Sequence, residues 1–236
     1  MTPGVPRDAF CRQRRVYLGD TTIDAELRLD AVARYLQDVA ADHAAEEKLP
    51  AGHAWILRRA ELQIIRNPKL YEDVELCTFC SGVGRSWAER TTVVAARRGG
   101  ESKAACIEAK AIWVYVRLAD GAPQPLPEEF FTVYGDGVRD HRVSARLRHA
   151  APGADAMRSA WPLRATDFDA LGHVNNAAYW EAIESALGGP RPHHAEIEFR
   201  AGIDPGEQPQ LVRASGSDGQ FWFEVAGDVR ASVRVS

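Results

Sequence analysis

Two stretches of the chain alternate apolar and polar residues in the same way. Arg58-Arg59-Ala60-Glu61-Leu62-Gln63-Ile64 and His193-His194-Ala195-Glu196-Ile197-Glu198-Phe199 match in chemistry, position for position, at an offset of 135 residues (193 minus 58). The same offset carries Trp87 onto Trp222 and Glu89 onto Glu224. A period of two is that of a half-buried strand. Its recurrence at one offset predicts a duplicated structural unit.

Upstream of each stretch the period becomes helical. Leu29, Val32, Leu36, Val39, Ala40 and His43 recur at spacings of three and four, one face of a helix. Val174, Ala177, Ala178, Ile183 and Leu187 form a shorter stripe in the second copy. Tyr35 and Tyr179 sit at comparable points, 144 apart, which predicts a helix-to-strand segment nine residues longer in the first copy (144 minus 135). Further alternating runs follow: Leu76 to Ser81, Thr91 to Ala96 and Ile107 to Arg117, then Leu211 to Ala214, Phe221 to Ala226 and Val229 to Val235.

Each copy is therefore expected to be a short strand, one long helix and four strands, an α+β unit whose helix covers one sheet face. Tight turns are expected at Gly99-Gly100, Ser217-Asp218-Gly219 and Gly227-Asp228, and Gly188-Gly189-Pro190-Arg191-Pro192 is expected to end the second helix. The boundaries are placed at 12–119 for the first unit and 158–236 for the second. Residues 120–157 between them, rich in proline and glycine, read as a linker, although Phe130, Phe131 and Tyr134 call for a packing surface.

Composition changes this picture little. With 236 residues, 45% of them hydrophobic, the chain can build a sizeable core. Its 29 basic and 33 acidic residues give a net charge of −4, without the basic excess of a nucleic-acid binder. No apolar run approaches the roughly 18 residues of a membrane span, and no apolar stretch follows the basic residues of the first fifteen positions. The expectation is a cytoplasmic protein that inserts in no membrane. Four cysteines are too few for a disulfide scaffold, and Cys77-Thr78-Phe79-Cys80 reads as free thiols rather than a metal site.

Common catalytic signatures are absent: no nucleophile elbow, phosphate loop, dinucleotide fingerprint or paired-histidine zinc helix occurs. One segment concentrates titratable groups where a helix begins: Asp167-Phe168-Asp169-Ala170-Leu171-Gly172-His173-Val174-Asn175-Asn176-Ala177-Ala178-Tyr179-Trp180. Asp169 stands four residues before His173, so it can orient the imidazole or act beside it on water. Gly172 permits a tight turn and a close substrate approach. Backbone N–H groups at a helix start can hold a developing oxyanion. Asp169 and Asn175 can equally serve as helix caps. The equivalent turn of the first copy, Gly19 to Arg28, has aspartates but no histidine.

Asp-x-Asp-x-x-Gly-His-Val-Asn-Asn-x-x-Tyr resembles the turn-and-helix motif of hot-dog-fold thioesterases. Its place in the second of two copies resembles the acyl-acyl-carrier-protein thioesterases of bacteria and plants. Asp20, Leu27, Arg28-Leu29-Asp30, Arg34-Tyr35-Leu36-Gln37-Asp38 and Gly84-Arg85-Ser86-Trp87-Ala88-Glu89-Arg90 resemble that family as well. The resemblance implies a tandem hot-dog fold with continuous sheets and hydrolysis of a fatty-acyl thioester without metal or cofactor. Its partner would be an acyl carrier protein or acyl-coenzyme A.

It also implies that Asp169 and His173 activate water while the backbone of Val174, Asn175 and Asn176 polarises the thioester carbonyl. Trp55, Ile64 and Trp87 become candidates for lining an acyl tunnel in the first copy. Arg58, Arg59, Arg85 and Arg90 become candidates for meeting an acidic carrier. Where plant members carry asparagine this chain has Leu171, and where they carry a Glu-Cys pair it has Gly202 and Ile203. Those departures keep open a non-catalytic acyl-binding protein, and a homodimer is open as well.

Overall fold

In the computed structural model, which describes residues 4–45, 50–96, 104–188, 192–216 and 219–236, the repeat takes the form of ten strands in one sheet. The first unit comprises β1 (Phe10–Arg15), α1 (Leu29–Ala44), β2 (His53–Ile64), β3 (Asp73–Val83), β4 (Trp87–Ala96) and β5 (Ala104–Arg117). A short helix, α2 (Glu128–Tyr134), follows. The second unit comprises β6 (Met157–Ala160), α3 (Asn176–Leu187), β7 (His194–Phe199), β8 (Gln210–Arg213), β9 (Gln220–Val225) and β10 (Asp228–Val235). The sheet order β1-β3-β4-β5-β2-β7-β10-β9-β8-β6 reads the same from either end once the units are exchanged. Expected turns at Gly99-Gly100 and Ser217-Asp218, and the segment Gly189 to Arg191, lie outside the described residues.

The seam between units is the antiparallel pair β2–β7. Glu61 faces Glu196, Ala60 faces Ile197 and Leu62 faces Ala195, so the 135-residue offset maps each rung onto another rung of the same ladder. A pseudo-twofold axis passes between the two glutamates. Like charges opposite one another destabilise a ladder. Here His194 lies 3.0 Å from Glu61, while His149 and Arg59 lie 3.2 and 3.6 Å from Glu196.

Away from the seam the offset changes. The turn bridge Thr21–Leu27 corresponds to Phe168–Val174, and α1 begins 147 residues before α3 (176 minus 29). Tyr35 therefore corresponds to Ala182, not Tyr179, and the first connection is longer by twelve residues (147 minus 135) rather than nine. In the outer strands Val93 opposite Glu108 corresponds to Trp222 opposite Ser232, so Trp87 and Trp222 do not share a rung. Bulges near Leu57, Cys80 and Val229 shift each ladder by whole residues, which a constant offset cannot follow.

The core lies between one sheet face and the two helices; buried residues of α1 and α3 join Leu62, Ile64, Ile197 and Phe223 in one cluster. On the opposite face, residues 141–150 form a strap. The Trp87 and Trp222 indoles donate to the carbonyls of Val143 (3.0 Å) and Ala150 (2.8 Å). The fully buried Glu198 carboxylate accepts the N–H groups of Arg148 (2.5 Å) and His149 (3.1 Å). The segment read as a linker is thus fastened to β4, β7 and β9. One cysteine expectation is overturned: Cys11 faces Cys77 across the β1–β3 ladder and is bonded to it, while Cys80 and Cys106 are free.

Candidate active site

The turn before α3 is built from its own side chains. The Asp167 carboxylate, buried, accepts the Arg164 N–H (2.7 Å) and side chain, closing a short 3-10 turn at Ala165–Asp167. Asp169 accepts the Leu171 N–H at 2.9 Å and the Asn175 side-chain amide at 3.5 Å. Its own N–H donates to the His173 carbonyl at 3.0 Å. Gly172 has φ +82, a value a side chain would strain. Asn175 caps the helix, its Oδ1 accepting the Ala177 N–H at 2.9 Å.

Two expectations change here. The helix begins at Asn176, so Val174 precedes it and donates its N–H to the Ile203 carbonyl (3.0 Å), while the Asn175 N–H goes to the Asp167 carbonyl (2.7 Å). Neither can polarise a substrate. Of the expected three, Asn176 alone has an N–H without an acceptor among the described residues, and it lines the cavity. Nor does Asp169 orient the imidazole: His173 Nδ1 pairs with Asp204 Oδ1 at 2.7 Å.

Sequence reasoning missed Asp204. It follows Gly202 and Ile203, where the plant Glu-Cys pair was sought and found replaced; an acid at the next position was the available signal. The Asp204 N–H donates to Glu207 (2.7 Å), which also receives Arg230 (2.8 Å), so the carboxylate is placed by a braced loop. Gly202 lets the ring lie against that loop. A Cβ there would stand 3.0 Å from His173 Nδ1, too close without a shift.

Asp169, His173, Leu171, Asn176 and Gly202 line a cavity of about 720 Å³ that extends into the first unit between α1 and the sheet. Exposed Ile56, Leu118 and Leu171 rim it, and Tyr179, whose hydroxyl pKa burial raises, forms part of its wall. Among the tunnel candidates Trp55 lines the cavity. Ile64 lies in the main core, and Trp87 holds the strap. Of the four carrier-facing arginines, Arg85 is exposed. Arg58 and Arg90 line the cavity, and Arg59 is spent on Glu196 and strap carbonyls. Among the described residues, His149, Glu196 and Glu198 bring possible metal-ligating atoms within 4.8 Å of one another. Ser232, the strap N–H groups and Arg59 already engage those atoms, which makes the trio a clamp.

Comparison with known proteins accords with this geometry. The family model described as the acyl-ACP thioesterase N-terminal domain matches residues 7–134, and that of the acyl-ACP thioesterase C-terminal domain matches residues 151–224. An uncharacterized protein of Mycobacterium tuberculosis is 31% identical over 225 residues, covering 92% of this chain and 88% of its own. An acyl-ACP thioesterase from Bacteroides thetaiotaomicron superposes with a TM-score of 0.79 at 18% identity, covering 95% of this chain and 96% of its own. The 12:0-ACP thioesterase from Umbellularia californica gives 0.79 at 16%, covering 97% and 96%. At these identities the likeness of the solved structures is one of fold. Among the described residues no helix is long and apolar enough to cross a membrane.

Proposed function

The chain belongs to the acyl-ACP thioesterase family, thioester hydrolases of tandem hot-dog fold, and on that premise we propose that it releases free fatty acid from acyl-acyl carrier protein in the cytoplasm. In this reading the first unit, 12–119, holds the acyl chain and the second, 158–236, carries the chemistry. One observation carries the proposal: His173 stands at a large, largely apolar cavity with its Nδ1 held by Asp204 at 2.7 Å. That bond fixes the tautomer in which Nδ1 carries the proton and Nε2 is a base.

Nε2 takes a proton from water as its oxygen attacks the thioester carbon, and Asp204 stabilises the imidazolium. Asp169, held by the turn, faces the same space and accepts the water's second hydrogen. The Asn176 N–H, at the positive end of α3, steadies the oxyanion. Collapse expels the thiolate, which takes the proton from His173, leaving acid and thiol. The apolar Leu171 then borders the mouth rather than taking part.

Thiol release from acyl-carrier-protein and acyl-coenzyme A panels tests this, with His173→Ala, Asp204→Asn and Asp169→Asn run beside wild type. Turnover by wild type, lost in His173→Ala, supports the site, and faster turnover of the carrier protein identifies the donor. Faster turnover of coenzyme A would replace that donor with the nearest alternative. A folded wild type that hydrolyses neither, yet binds acyl chains, would sink the enzyme reading and leave an acyl-binding protein.

A further inference from the structure

The two long helices pack together, and the pseudo-twofold relates each end of that contact to the other. At the start of α1 the Leu29 N–H donates to the Glu184 carboxylate of α3 at 3.0 Å. The helix offset of 147 carries Leu29 onto Asn176 and places Gln37 where Glu184 stands (184 minus 147). The related contact therefore sets Gln37 of α1 against the start of α3, the helix that follows the His173 turn. Gln37 indeed lines the cavity together with His173 and Asn176.

The two ends differ in what meets the first N–H of the helix. In the first copy it is a carboxylate oxygen, the place an anion takes at the positive end of a helix. In the second copy the Asn176 N–H has no acceptor, and the half-buried Gln37 amide has no hydrogen-bond partner among the described residues. The other α1 residues lining the cavity are Ala40, Ala41 and Ala44, so Gln37 is the polar group this helix presents there.

A carboxylate at this position would take the Asn176 N–H, as Glu184 takes that of Leu29, and would repel a developing negative charge. The amide of glutamine is neutral and carries two N–H donors. We propose that Gln37 is a catalytic residue supplied by the first unit: its side-chain N–H donates, together with the Asn176 N–H, to the thioester carbonyl oxygen as that becomes an oxyanion. The Glu184 oxygen marks, in the other copy, the place this oxyanion takes. The inference rests on the hydrolase reading and adds to it a second donor from the opposite unit.

Steady-state thiol release tests it with wild type, Gln37→Ala, Gln37→Glu and Glu184→Gln, folding being followed by circular dichroism and urea midpoints. Calorimetry measures binding of an acyl trifluoromethyl ketone, whose hydrate carries the tetrahedral oxygens, and of the alkyl analogue that lacks them. Gln37→Ala should lose about a hundredfold in kcat, the usual cost of one oxyanion donor, with KM little changed. It should bind the ketone roughly tenfold or more weakly and the alkyl analogue as wild type does. Gln37→Glu should lose at least as much in kcat with its urea midpoint unchanged or raised, and Glu184→Gln should keep kcat. Wild-type kcat in Gln37→Glu would make the side chain an acceptor for water and overturn the donor. Unchanged kcat in Gln37→Ala, or equal weakening of ketone and alkyl analogue, would overturn it too. Should wild type turn over no thioester, weaker binding of the ketone alone by Gln37→Ala would uphold the donor and sink the hydrolase; equal binding would overturn both.

Discussion

The imidazole of His173 has one strong partner, and it comes from 31 residues further along the chain. Replacing Asp204 by asparagine keeps the shape but lets the side-chain amide present a donor to Nδ1, which favours the wrong tautomer. A fall in kcat of roughly a hundredfold or more is expected, with KM little changed, as read by steady-state thiol release. A change confined to KM would assign Asp204 to substrate binding. Asp169, His173 and Asn175 were legible because one turn carries them all, and an isolated turn can be read from its own residues. Asp204 was not, because the contact depends on how the loop after β7 folds back, and Gly202 is what admits the ring.

His43 supplies a second prediction at this scale. Its folded-state pKa, about 4, lies below the ordinary 6.5 because burial and the charges of Arg90 and Arg12 oppose protonation. Among the described residues Asp42, paired with Arg12, and Tyr134, packed edge-on, are further polar neighbours. Between those two values the unfolded chain binds the extra proton and the folded chain does not, so stability rises with pH there. Urea midpoints should be level above about pH 7 and fall as the pH drops from 6.5 towards 4. In His43→Gln the part of that slope due to this residue should vanish; an unchanged slope would place its origin elsewhere.

The strap is the element sequence reading could not supply. Strands and long helices announce themselves by period, and every alternating run read from the sequence overlaps a strand, although β1, β6 and α2 were given no bounds. Residues 141–150 have no period, because they bond through backbone groups to Glu198, Trp87 and Trp222 on strands far away in the chain. What was readable was the other half: Glu198 and Trp222 sit on the polar side of alternating strands. Truncating Glu198 to alanine strands two N–H groups and leaves Arg200, 4.0 Å away, without its nearest acid. A loss of about 3 kcal/mol in urea denaturation is expected. A loss under about 0.5 kcal/mol, the range of ordinary surface changes, would mean the strap contributes little. By contrast Asn175→Ala, which removes a local cap from α3, should cost about 1 kcal/mol.

At the scale of the whole chain, the repeat offset of 135 is the register of the β2–β7 seam, and one core cluster draws on both units. Neither half closes its own sheet edge at that seam: separated, β2 and β7 would each expose a row of unpaired backbone groups beside apolar residues. The two units should therefore unfold together although each has its own helix and four-strand meander. Ile197, fully buried at the seam, is the place to ask. Ile197→Ala should cost about 2–5 kcal/mol, and hydrogen exchange should show β4 of the first unit and β9 of the second losing protection by the same amount. Loss confined to β9 and its neighbours, or two separate transitions in urea, would show that the seam joins two independently stable units.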